Sequence, residues 1–133
     1  IYISMLLPFE IIHRSAVPTI RYMVASKLIK EYNMTQNEAA NILGVTQAAI
    51  SNYYRRTRAT VINFSDNKDI CNFINELTVL LLKGNSNRPE VVEKIVEICD
   101  YLRKEKLLCN FHKKMEPLYN SNECNACQKP FII

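Results

Sequence analysis

Glycine is nearly missing from this chain: there are 2 in 133 residues, and tryptophan is absent. So little glycine leaves no room for a glycine-rich loop that brings backbone amides against a phosphate, and no nucleophile elbow is present either. No apolar run approaches the about 20 residues needed to span a bilayer. Ile1 to Leu7 is apolar, but too short for a secretory signal, and it lacks a basic leading region and a small-residue cleavage site. A cytoplasmic protein with no membrane partner is therefore expected. Acidic residues are also missing from one long stretch, with none between Ala39 and Ser65. Through residue 65 the chain holds 7 Lys+Arg against 3 Asp+Glu, and beyond it 10 against 10, so the net charge of +4 lies wholly in the first half. A basic surface on one part of a chain is the electrostatic footprint of a phosphate binder.

That basic half contains the most informative stretch, Thr35 to Arg58, TQNEAANILGVTQAAISNYYRRTR. Gln36 to Leu43 reads as a helix with Ala39, Ala40 and Leu43 on one face. Thr35 is its cap, and Glu38 stands at the capping-box spacing. Gly44 follows at once and suits the left-handed conformation that ends a helix sharply. Thr46 offers a hydroxyl cap for a second helix, Gln47 to about Tyr54. Ala40 is small where the two helices cross, and Val45 and Ile50 plug the space between them. Arg55, Arg56 and Arg58 follow the second helix.

Gln36, Ala40, Gly44, Val45, Ile50 and Tyr53 stand where the phage-repressor type of helix-turn-helix, the xenobiotic-response-element class, places a Gln, a small residue, Gly and three apolar residues. The stretch resembles that family over a continuous run. The resemblance implies double-stranded DNA as partner, with the start of the second helix in the major groove. Thr46, Gln47, Ala48, Ser51 and Asn52 would face DNA. Gln47 is the best base reader, because its amide can bond adenine with two hydrogen bonds. Gln36, at a helix start, would hold a phosphate, as would Arg55, Arg56 and Arg58.

The flanking sequence is helical too. Pro8 suits a short helix through Ile11 and Ile12. Pro18 opens an amphipathic helix to Tyr32, with Ile20, Val24, Leu28 and Ile29 at helical spacing and Ser15 or Val17 just outside it. Ser65 and Asp66 can cap a helix from about Asn67 to Lys83, whose stripe is Ile70, Phe73, Ile74, Leu77, Leu80 and Leu81. Pro89 opens another, ending near Lys104, with glutamates early and Arg103 and Lys104 late as the helix dipole favours. An all-α chain results, in three parts: a DNA-binding domain (1–64), a helical dimerisation segment (65–105) and a cysteine-rich tail (106–133). The last two helices are apolar enough to suggest a homodimer interface.

Five cysteines in an intracellular chain argue for metal or redox chemistry over a disulfide framework. Cys124 and Cys127 form a C-x2-C pair, with Cys109 and His112 upstream as C-x2-H and Cys99 at the end of a helix. Cys109, His112, Cys124 and Cys127 would make a tetrahedral zinc site. Cys99, Cys109, Cys124 and Cys127 would give four thiolates, for an iron–sulfur cluster or zinc. Cys71 reads as an ordinary buried cysteine.

The order of parts resembles a family of archaeal predicted transcriptional regulators. Its pieces here are Pro8-Phe9-Glu10, Val17-Pro18-Thr19-Ile20-Arg21, Gln36 to Tyr53, and Cys99, Cys109, His112, Cys124 and Cys127. Phe9 departs from the cysteine that family carries, so no ligand is assigned there. The resemblance implies a regulator with a thiolate-bound centre, and iron–sulfur is slightly favoured because Cys99 lies outside any compact zinc-ribbon spacing. The expected function is thus a dimeric, sequence-specific DNA-binding regulator whose centre senses redox state. The alternative is an antitoxin or general DNA-binding protein with a structural zinc. No enzyme is expected: Cys109 and His112 lack an orienting acid and an oxyanion motif, and no small-molecule substrate is evident.

Overall fold

Pro18 has no amide hydrogen to give to the carbonyl four residues back. The computed structural model, which describes residues 5–55, 62–84, 88–120 and 123–129, accommodates this without breaking the helix. Helix α1 (Pro8–Ile11) runs into a wider π-helical turn (Ile12–Ala16), where the Val17 amide bonds the Ile12 carbonyl, and then into α2 (Val17–Lys30). The Ser15 hydroxyl donates to the Ile11 carbonyl and the Thr19 hydroxyl to the Ser15 carbonyl, both at 2.6 Å, so the irregular turn is tied by side chains. The sequence predicts a fresh helix start near Pro18; instead α1 and α2 are one path, with Ser15, Ala16 and Thr19 buried in it. Asn33, left-handed at φ 55°, ends it, and Met34 N–H reaches back to Leu28 at 3.1 Å.

Helices α3 (Gln36–Leu43) and α4 (Gln47–Arg55) follow, then α5 (Lys68–Leu82), α6 (Pro89–Lys104), α7 (Cys109–Met115) and a 3-10 turn (Ala126–Gln128). Among the described residues there is no strand. The cap of α5 is Asn67, whose side-chain oxygen accepts the Ile70 amide at 3.0 Å, rather than Ser65 or Asp66.

The stripe of α5 is spent inside the chain. Ile70, Ile74, Leu77 and Leu81 are buried with Ile20, Val24 and Leu28 of α2 and Val91, Ile98 and Leu102 of α6. This corrects the reading of that stripe as a dimer face: α5 packs on α2 and α6, and what stays exposed on the pair is Val79 and Leu82 of α5 and Val92 and Val96 of α6. The same core takes in Leu6, Phe64, Leu108 and Phe111, so it runs across the expected boundaries at 64/65 and 105/106.

The segment after Lys104, marked in the sequence only by its cysteines, adds a helix to the core. Lys106 is left-handed (φ 57°), Leu107 N–H bonds the Leu102 carbonyl at 3.0 Å, and α7 then buries Leu108, Phe111 and His112. The spacing of those three residues is helical, which a composition rich in Asn and Cys hides.

Candidate functional site

The α3–α4 pair is shaped by its own short-range chemistry. Glu38 N–H donates to the Thr35 hydroxyl, and Thr35 N–H donates to the Glu38 carboxylate, both at 3.1 Å. Gly44 sits at φ 69°, which lets Val45 N–H return to the Ala40 carbonyl at 3.0 Å. The Thr46 hydroxyl accepts Ala49 N–H at 3.1 Å and starts α4. A small core of Ala25, Ala40 and Ile50 holds α2, α3 and α4 together, ringed by Ile29, Leu43, Val45, Tyr53 and Tyr54. Two alanines there bring the helices close.

With Ile50 turned inward, the opposite side of α4 is left to solvent. Thr46, Gln47, Ala48, Asn52 and Arg55 are exposed, so five of the nine residues read as DNA contacts stand together at and after the start of α4. Gln36 and Ser51 are half-buried and bonded to each other, the Ser51 hydroxyl donating to the Gln36 side-chain oxygen at 3.0 Å. That bond fixes Gln36 across the turn and leaves its NH2 group as the available donor. Arg56 and Arg58 lie outside the described residues. Arg21 was not singled out by sequence reasoning. Its guanidinium donates to the Tyr53 hydroxyl at 3.4 Å, adding a cation from α2 beside α4. Nothing in the spacing of Arg21 within its own helix announces that neighbour.

The second candidate is the thiol group of the tail. Cys109, Cys124 and Cys127 are half-buried and close enough that charge on one opposes charge on another. Burial pushes the Cys127 thiol up, Cys109 and Cys124 push it further, and Arg103 and Lys106 oppose the shift. Burial raises Cys109 too, against Lys106 and with Cys124. The Tyr119 hydroxyl donates to the Cys124 sulfur, and that bond, with burial, pushes Tyr119 up to about 12. Cys99 stands differently. Its thiol packs against the main core, and burial, then Asp100, pushes it up to about 11. His112 is buried, its Nε2 bonded to Glu116 at 3.0 Å and its ring stacked on Tyr119 at 4.1 Å. Among the described residues no three His, Cys, Asp or Glu side chains form a ready metal-holding group.

What fastens this tail is a cation that the sequence presents as an ordinary helix-end charge. Arg103 is 3% exposed; its guanidinium donates to the carbonyls of Cys127 and Lys129 and to the Asp100 carboxylate. The Gln128 side chain donates to the Lys104 carbonyl at 3.1 Å. At the other end of the tail, Glu116 accepts both the His112 ring and the Leu6 amide.

Among the described residues no helix is long and apolar enough to cross a membrane. The chain matches no family model, no curated protein and no solved structure.

Proposed function

We propose that α3, the Gly44 turn and α4 form a helix-turn-helix that binds double-stranded DNA in a sequence-specific regulator. The observation that carries this reading is the pairing of an inward Ile50 with an exposed Gln47, Ala48 and Asn52 on one short helix, started by the Thr46 hydroxyl, in a basic half of the chain. In this reading Gln47 reads a base edge, Arg55 and Arg21 meet phosphates, and Ser51 aims the Gln36 NH2 group at the backbone. Selection of binding sites from random duplexes tests it. Gln47→Ala is expected to relax one base position at about 1–3 kcal/mol, whereas Arg55→Ala weakens all sequences and lowers the salt slope by about one. An unchanged selection with Gln47→Ala would overturn the register.

A single such motif reads few base pairs, so a two-fold pair is the expected form, with half-sites about one turn apart. Val79, Leu82, Val92 and Val96 supply its apolar contact. A monomeric mass in solution at micromolar protein would remove it.

The tail thiols Cys109, Cys124 and Cys127 fit a thiophilic centre in donor chemistry, since a cation would relieve the opposition among their charges. Zinc or an iron–sulfur cluster bound there would supply local folding energy and, for the cluster, a redox response. Cys99 is packed on the core and His112 is engaged by Glu116, so either must turn to serve as fourth ligand. Metal analysis and a visible spectrum of anaerobically purified protein, beside Cys124→Ser/Cys127→Ser, separate zinc, cluster and neither.

A further inference from the structure

Between α2 and α5, closed on one side by residues 62–65, lies an open-sided cavity of about 680 Å³. That volume falls within the ~300–1,000 Å³ common for small-molecule sites. Its floor is apolar, with Met23, Ile62, Phe64 and Ile74. Ser26 and Asn75 add hydrogen-bonding groups to the wall. The charged lining residues are Lys27, Lys30 and Glu31. Lys27 and Glu31 satisfy each other at 2.5 Å, while Lys30 is exposed and has no ion pair among the described residues. The lining therefore keeps one positive charge beside an apolar floor.

We propose that this cavity binds a small amphipathic monocarboxylate, with its apolar body against Met23, Phe64 and Ile74 and its carboxylate at Lys30. The site has a path to α4. Tyr22 on the cavity wall packs edge-on against Tyr54 at a centroid distance of 5.1 Å. A ligand that favours one placement of Tyr54 changes DNA affinity by at most that preference, and only in so far as DNA also discriminates between the placements. This regulatory part rests on the reading of α4 given above; the binding part does not.

Cys71 supplies the readout, because its thiol lies in the lining and donates to the Phe64 and Ser65 carbonyls at 3.7 and 3.6 Å. The probe is octanoate, with octanol and octylamine as controls, and the signal is Cys71 alkylation by N-ethylmaleimide, followed peptide by peptide. Octanoate is expected to slow Cys71 saturably, roughly ten-fold when nine-tenths of the sites are filled, since only the empty fraction reacts. Lys30→Glu should abolish the protection, and Lys30→Arg should keep it. Equal protection by octanol, or no protection below the micelle-forming concentration, overturns the site. Operator affinity measured with octanoate is expected to shift at least about five-fold. Unchanged affinity with Cys71 protected overturns the regulatory part, and absence of DNA binding even without octanoate, with Cys71 still protected, overturns only the reading of α4.

Discussion

In the α3–α4 pair the bonds that shape the backbone join near neighbours: Thr35 with Glu38, Thr46 with Ala49, and Val45 with Ala40. In the tail they join distant ones. Arg103 holds carbonyls 24 and 26 residues on, and Glu116 holds an amide 110 residues back. The first region carries its instructions in a short run of sequence. The second is defined by what it lands on. The contrast explains why the two segments differ so much in how readily they are read.

The strongest way to break the comparison is through the core that both regions share. Leu77 is 0% exposed. Leu77→Glu places an unpaired carboxylate there and should cost about 4 kcal/mol or more, unfolding the chain as one unit. Circular dichroism would show no cooperative melt. Survival of the α3–α4 signals in an NMR spectrum would instead make that pair a separate domain.

Arg103→Met sharpens the contrast. It leaves the Cys127 and Lys129 carbonyls without their charged donor. The expected loss is about 2–3 kcal/mol, with faster amide exchange over 123–129 and little change over 36–55. Gly44→Ala is the complementary test and a smaller one. At φ 69° a side chain costs about 1–2 kcal/mol, lowering the urea midpoint while exchange in the tail keeps its relation to global stability.

The smallest effect is a pH dependence confined to the tail. The Arg103 guanidinium, then Lys104, holds the Asp100 carboxyl below its ordinary value of 3.8. A carboxyl lowered in the folded state stabilises that state above the ordinary value, and the contribution fades as pH falls through the lowered one. Acidification from about pH 5 to about pH 2 should therefore loosen 123–129, and Asp100→Asn should remove that part of the dependence. Fluorescence of a dye on the tail reports it.

Legibility in the sequence follows the same division. The α3 and α4 spans, the Thr35–Glu38 box and the left-handed Gly44 were legible because each device lies within a few residues of its partner. So were Ala40 and Ile50, whose size and position state their neighbours. The path through Pro18 was not, since the wider turn depends on Ser15 and Thr19 hydroxyls that also read as surface groups. Nor was α7: Leu108, Phe111 and His112 have helical spacing, but Asn and Cys around them suggest a loop. The Lys27–Glu31 pair is a readable i,i+4 contact, yet the cavity beside it needs α5 and residues 62–65 brought in from elsewhere. Arg103 was visible only as a dipole-complementing charge, because its acceptors are carbonyls that every residue possesses.

The Glu116 carboxylate has a consequence for the order of events in synthesis. The bonds that shape α3 and α4 are complete once about twenty residues have emerged past Thr35, so that pair can begin to form early. The amide of Leu6 must wait in water until its partner, 110 residues further along, is made. Its partner arrives only after α5 and α6 have been produced, and closing so large a loop is slow. The bond between Leu6 and Glu116 can therefore close only after α5 and α6 have been made.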